Sequence, residues 1–203
     1  MKLDKIERTT NNPREAREEI RKDFKSVECH IDEIEQADGT YVVVGYAKEE
    51  MLDALFGIAE LVLRPLDRAI SFSIRPSRSF EEFTVVCHSR DVALFIGKHG
   101  QNLDALETII CAIFNRHFPK KKTIQLDIDD YKRKRQHYLI KVVRQIVRQI
   151  ESDHRERPLP HLLPKERKIV HTYLNTHPYL TTESRGEGGA RTLFIKPRQS
   201  ARE

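Results

Sequence analysis

Two stretches of the sequence combine residue types and spacing that could do chemistry. In Ile96-Gly97-Lys98-His99-Gly100-Gln101-Asn102-Leu103, two glycines stand three apart and enclose a lysine and a histidine. Glycines so placed let the main chain approach a ligand where any Cβ would obstruct it. A helix beginning after the second glycine would aim free N–H groups and its positive dipole end at the same point, which suits a phosphate. Lys98 adds a point charge and His99 a further donor, while Ile96 and Leu103 would line an apolar groove for bases. The stretch lacks both the Gly-x-x-x-x-Gly-Lys-Ser/Thr of nucleotide phosphate loops and the Gly-x-Gly-x-x-Gly of dinucleotide sites. A glycine pair alone would be an ordinary helix-to-helix turn. The apolar Leu94-Phe95-Ile96 before it and the Leu103/Leu106 period after it favour a binding loop.

The second stretch is Glu166-Arg167-Lys168-Ile169-Val170-His171, just after Pro164. Arg167 and His171 are four apart, so on a helix both project from one face and could hold phosphate. Spacing alone would equally describe a solvated helix face. Other groups point to little chemistry. Cys29, Cys87 and Cys111 are odd in number, far apart and in apolar contexts, which reads as small hydrophobic residues in a reducing compartment. Cys29-His30 and Cys87-His88 would point to opposite faces of a strand, a poor chelating arrangement. Asp127, Asp129 and Asp130 at a strand end could bind a cation, and His171 could serve as a base. The weaker alternative is therefore a nuclease or phosphodiesterase, although His177 lies on another face of the helix and carboxylates are not clustered around His171. The expectation is no catalytic residue, no metal, no cofactor and no small-molecule substrate.

Charge supports a polyanionic partner. Residues 1–70 carry 11 Lys/Arg against 16 Asp/Glu, whereas residues 71–203 carry 25 against 15. Within residues 131–157 the count is nine against three. An acidic first third and a basic remainder suit a chain of which one part meets a polyanion. There is no Trp, so any base stacking must come from Phe, Tyr or His. The runs Lys120–Lys122 and Lys132–Arg135 would give affinity without specificity. No basic-then-apolar leader is visible, and Met51–Leu63 is too short and too interrupted by Asp53 and Glu60 to span a bilayer. A soluble, cytoplasmic protein without membrane insertion is expected.

The elements that must position these residues follow from periodicity. Pro13–Phe24 predicts a helix, with Thr9–Asn12 before it unstructured. Val27–Ile34 and Thr40–Tyr46 predict a hairpin across Asp38-Gly39. Together they make an acidic segment with little core of its own. From Lys48, the apolar positions Met51, Leu52, Leu55, Ile58, Ala59, Val62 and Leu63 fit a helix ended by Pro65. Strands at Ile70–Ile74 and Phe83–His88, a short helix at Val92–Ile96, the glycine turn, a helix from Gln101 to about Phe118 and a strand at Thr123–Ile128 complete the set. In the longer helix Leu103, Leu106, Ile109, Ile110, Ile113 and Phe114 should point inward. A basic helix over 131–152 buries Leu139, Val143, Ile146 and Ile150, widened by Ile140 and Val147. A Pro-rich connector from Asp153 to Pro164, a helix to about Thr176, and strands Tyr179–Glu183 and Thr192–Lys196 around Ser184–Gly189 follow.

The stretch Phe95–Leu106 resembles the signature turn of bacterial KH domains, and the element order resembles the type II arrangement of that fold. KH domains clamp about four nucleotides of a single strand across this turn. Arg167 and His171, followed by Thr182-Glu183-Ser184-Arg185-Gly186 and Arg191, resemble the R-three-H domain, a single-strand-binding module. The two in this order, with Asp127–Arg135 between them, resemble the Jag family of bacteria, also called KhpB, over about Leu61 to Pro197. That resemblance implies a non-catalytic binder of single-stranded RNA, with single-stranded DNA as an alternative ligand, acting through Ile96, Gly97, Lys98, His99, Gly100, Leu103, Arg167, His171 and Arg191. It also implies a post-transcriptional or RNA-chaperone-type role linked to cell-envelope growth or division, and a small single-KH protein as a candidate partner. Many members begin with a small domain ending in a Lys-Lys-Gly-Phe-x-Gly-like segment, which residues 1–50 lack. An adaptor acting through its N-terminal arm is the alternative from another class.

The expected fold class is α+β. Residues 1–47 form the acidic segment, 48–130 the KH-like unit, 131–197 the R-three-H unit, and 198–203 a disordered tail.

Overall fold

The computed structural model describes residues 3–25, 27–159, 162–188 and 191–198. They form two compact units of mixed α/β structure, Met1–Asp129 and Asp130–Glu203.

The first unit opens with β1 (Lys5–Thr10), α1 (Pro13–Asp23), β2 (Cys29–Glu35) and β3 (Tyr41–Ala47), the strands forming an antiparallel sheet in the order β1-β3-β2. Asn12 caps α1 by accepting from the Glu15 N–H, with Pro13 at the first helical position, where its missing N–H costs nothing. Residues expected to be unstructured therefore split between a strand and a helix cap. β1 pairs with β3 along its whole length, from Lys5 opposite Tyr46 to Thr10 opposite Tyr41. One face of the sheet packs on α1 through Ala16, Ile20 and Val43, joined by Ile6, Phe24, Ile31 and Tyr41. At Gly45 a Cβ would lie 2.4 Å from Ile20 Cγ2, so helix and strand meet where only glycine fits. The acidic segment thus has a small core of its own, three buried side chains with four partly buried neighbours.

Next come α2 (Lys48–Leu63), β4 (Ser71–Pro76), β5 (Glu82–His88), α3 (Val92–Ile96), α4 (Gln101–Phe114) and β6 (Thr123–Ile128). Their sheet has the order β4-β5-β6, the first pair antiparallel and the second parallel. A parallel pair needs a crossover, which α3, the glycine turn and α4 supply. Met51, Leu55, Ile58 and Leu63 of α2 and Leu103, Ile110 and Phe114 of α4 are buried together with Phe83, Val85, Leu126 and Ile128 of the sheet. Each such side chain contributes roughly 1.5–3 kcal/mol. Ile109, expected inward, is 47% exposed, because the buried arc of α4 runs through Leu103, Ile110 and Phe114 and leaves its neighbour outside.

The other face of the β1-β3-β2 sheet is fastened by a buried ionic cluster. Lys122 Nζ lies 2.5 Å from Asp32 Oδ1, 2.8 Å from His30 Nε2 and 3.0 Å from Glu81 Oε2. His30 Nε2 is also 2.9 Å from Asp32 Oδ1, and the Lys122 and Asp32 side chains are fully buried. Asn115 fixes the lysine backbone by accepting from its N–H at 2.6 Å and donating to its carbonyl at 2.9 Å. Burial would raise the Asp32 pKa, but hydrogen bonds from His30 and Lys122 more than offset it, and the carboxyl titrates below its ordinary value. Tyr46 meets Phe118 edge-on beside this cluster, at 4.9 Å between centroids. Lys122 is thus an interior residue rather than part of a solvated basic run, and Lys120 pairs with Glu81 at 3.0 Å.

The second unit comprises α5 (Tyr131–Asp153), β7 (Arg157–Leu159), α6 (Pro164–Asn175), β8 (Leu180–Arg185) and β9 (Thr192–Pro197), with an antiparallel sheet ordered β7-β9-β8. Leu139, Val143 and Ile150 of α5 pack on Val170, Leu174, Leu180, Leu193 and Ile195, with Val142, Ile146 and Val147 alongside. The segment read as a plain connector contains β7, whose Pro158 is tolerated because the strand lies at an edge of the sheet. Gly189 of the expected loop and all of the tail except Arg198 lie outside the described residues; Arg198 donates to the carbonyls of Leu180 and Asn175. Among the described residues no helix is long and apolar enough to cross a membrane.

Candidate nucleic-acid interface

The glycine turn is built by two short segments that meet at an angle. Asp91 caps α3 by accepting from the Leu94 N–H, and α3 ends after one turn at Gly97. Gly97 has φ 66° and ψ −168°, a backbone region open in practice only to glycine. Lys98–Gly100 then form a tight turn in which His99 (φ 56°) and Gly100 (φ 88°) are left-handed, and α4 begins at Gln101. Asn102 on the first turn of α4 reaches back to donate to the Leu94 carbonyl at 2.9 Å. Its side chain occupies the place a Cβ at Gly97 would take, 2.4 Å from Asn102 Cγ.

Lys98 is exposed, Ile96, Gly97 and His99 are half-buried, and Gly100 is buried against the start of α4. The accessible glycine is therefore Gly97 rather than both glycines alike, and the left-handed φ explains the second glycine. Leu103 is 1% exposed, so it supports the turn from within the core instead of lining a groove. The exposed apolar residue beside the turn is Leu94, at 43%. Asn102 was visible in the sequence next to the motif, but its role depends on a bond that closes only in the folded turn.

The Arg167/His171 pair lies on α6. Glu166, three residues after Leu163, accepts from the Leu163 N–H at 3.0 Å and from Arg135 Nε at 2.7 Å, which anchors the helix start to α5. Arg135 is therefore engaged inside the unit rather than part of a solvated basic run. Arg167 is half-buried and donates to the Leu162 carbonyl at 2.8 Å. His171 is exposed, and its Nδ1 shares a 2.6 Å hydrogen bond with Thr182 Oγ1 of β8, which orients the ring and leaves Nε2 as its other polar atom. Arg191 is exposed beyond the Arg185–Thr192 pair that closes the β8–β9 hairpin. That pair is three residues from Thr182, so the end of the hairpin that carries Arg191 lies about 10 Å along the strand from the threonine that holds His171.

Arg185 is committed elsewhere. It forks onto Glu156 at 2.8 and 2.9 Å, bonds Glu183 at 3.0 Å, and stacks over Phe194 with 4.4 Å to the ring centroid. Hydrogen bonds from Arg185 and Lys196 hold the Glu183 carboxyl at about 2. Of the three aspartates considered as cation ligands, Asp129 pairs with His88 at 2.7 Å and Asp130 with Arg133 at 3.0 Å. Among the described residues, the group with metal-ligand geometry is His30, Asp32 and Glu81, and Lys122 Nζ already contacts all three.

A unit of two helices against a three-stranded antiparallel sheet, with an arginine and a histidine four apart on the second helix, defines a recognisable class. Residues 137–197 match the family model of the R-three-H domain. The chain is 31% identical over 141 residues to the RNA-binding protein KhpB of Bacillus subtilis (strain 168), covering 68% of both chains. It is 26% identical over 155 residues to the RNA-binding protein KhpB of Clostridium symbiosum, covering 76% of this chain and 70% of that one. A third relative, KhpB of Lactiplantibacillus plantarum, is 28% identical over 106 residues, 52% of this chain and 33% of that protein. The chain belongs to the KhpB family.

Proposed function

We propose that this protein binds single-stranded RNA without catalysis, with residues 48–130 as a KH-type unit and residues 131–197 as a second grip. The observation that supports this best is the turn at 97–99. An exposed lysine follows a half-buried glycine that has no Cβ, just before the first turn of a 14-residue helix. A sugar-phosphate backbone can lie against that main chain, with Lys98 and His99 beside it and Ile96 and Leu94 offering apolar surface to bases. Arg167 and His171, with Arg191 further off, add phosphate contacts in the second unit. Two weak sites on one chain reinforce each other through effective concentration. The RNA-binding names of the relatives agree with this reading. A post-transcriptional role and a small single-KH partner extend it.

The test is RNA binding by the purified full chain at several salt concentrations. With about 4–6 phosphates engaged, log affinity falls with log salt at a slope of roughly −3 to −4. The Lys98→Asp/His99→Asp variant keeps its fold and binds roughly tenfold or more weakly, about 1.4 kcal/mol. A variant that binds as tightly as the parent removes the turn from the interface. Sustained RNA cleavage with Mg²⁺ would turn the assignment towards an enzyme.

A further inference from the structure

The first 70 residues carry a net negative charge, yet their cations converge. Arg17 and Arg21 of α1 and Lys48 at the start of α2 line one cleft of about 560 Å³ with Arg78 of the β4–β5 turn and Lys120 before β6. The carboxylate in the lining is Glu33, which pairs with Arg17. Glu28 and Glu81 engage Lys48 and Lys120 at 3.0 Å each. Arg21 and Arg78 are exposed, and no carboxylate among the described residues forms an ion pair with either. Arg78 precedes β5, whereas the glycine turn follows it. Seven strand residues separate the two places by about 20 Å, so this cleft is distinct from the turn.

Glu33, Glu28 and Glu81 offset Arg17, Lys48 and Lys120, which leaves the positive charges of Arg21 and Arg78 in the cleft without a carboxylate, and an anion placed there would be held by both. The one ring in the lining, His30, is buried and held by Asp32 and Lys122, and the lining has no Phe or Tyr to stack a base, so recognition here is by charge and hydrogen bonding. One carboxylate fills one arginine fork with its two oxygens, whereas a phosphate has the oxygens to accept from two forks at once, which suits a cleft with two arginines free of carboxylates. We propose that this cleft is a second, independent phosphate-binding site, taking either the backbone of single-stranded RNA or a free polyphosphate. It does not rest on the proposed role of the glycine turn.

The experiment uses the full chain and follows the side-chain Nε–H signals of Arg21 and Arg78 by NMR while tripolyphosphate or oligouridine RNA is added. Saturable shifts of both signals are expected, in the parent and equally in Lys98→Asp/His99→Asp. Shifts with both probes assign the site to RNA backbone and shifts with tripolyphosphate alone assign it to free polyphosphate; either supports a phosphate site. If RNA is the ligand, Arg21→Glu/Arg78→Glu lowers the salt slope of RNA binding by about 1.4, the value for two single-strand contacts. No shift with either probe, or equal shifts with a polyglutamate peptide, would overturn the proposal. Because the parent's own signals are read, poor folding of the variant cannot mask the answer.

Discussion

Lys122→Met is the most informative single change in the first unit. Methionine fills most of the lysine volume and removes the ammonium, leaving Asp32 buried beside His30 with its cationic partner gone. The lysine and aspartate side chains are both 0% exposed, and their bond is 2.5 Å. Removing one member of such a buried pair costs about 3–5 kcal/mol, since the desolvated partner is stranded. Replacing both, as in Lys122→Met/Asp32→Leu, should recover most of that loss. The assay is native-state hydrogen exchange on the β2 and β3 amides at neutral pH, read by residue, so that unfolding of the second unit does not enter. The pH dependence adds a check. Asp32 titrates below its unfolded value, so its contribution in the parent is present above that value and is lost as pH falls through the folded pKa. In Lys122→Met the deficit narrows as pH falls, because protonation of Asp32 removes the stranded charge. Glu81 and Lys120 flank the same cluster and belong in that comparison. A loss below about 1 kcal/mol at neutral pH, against the cost expected of a buried pair, would refute the description of a dry ionic fastening between the two sheets.

Gly97→Ala forces a side chain into a glycine-only backbone region and should cost about 1–3 kcal/mol, measured by denaturant unfolding of the first unit, together with weakened RNA binding. Gly39→Ala, also at positive φ but facing open space, should leave RNA binding unchanged. Burial, with Asp127 and Asp129 nearby, pushes the Cys87 thiol up to about 12. Mass spectrometry after brief iodoacetamide treatment at pH 8 should therefore find Cys29 and Cys111 alkylated well before Cys87.

The longer elements were legible because burial there has a period. The helix from Lys48, the helix after the glycine turn and the strands around it carry apolar residues at 3.6 or 2 spacing, and the turn fell where the sequence put it. β1 was not legible: Lys5–Thr10 has one aliphatic residue, Ile6, and is a strand only because β3 offers it a partner along its whole length. β7 is three residues long and contains a proline, so no local pattern marks it. Lys122 stands in a run of three lysines, and nothing local separates it from its exposed neighbour. Its acceptor Asp32 lies 90 positions away, a relation that only tertiary structure supplies. Leu103 illustrates the opposite error, an apolar residue assigned to a ligand when the core had first claim on it. Glu166, by contrast, could have been found, since an acid three residues after a helix cap is a local signal.

The bond from Asn102 to the Leu94 carbonyl ties the two sides of the glycine turn together before any ligand arrives. If RNA lies on this turn as proposed, an incoming strand would meet a jaw already set, and little chain entropy would be spent on closing it. Encounter with RNA would be governed by electrostatic steering rather than by rearrangement of the protein, and differences among RNA sequences would be felt mainly in how long each stays bound.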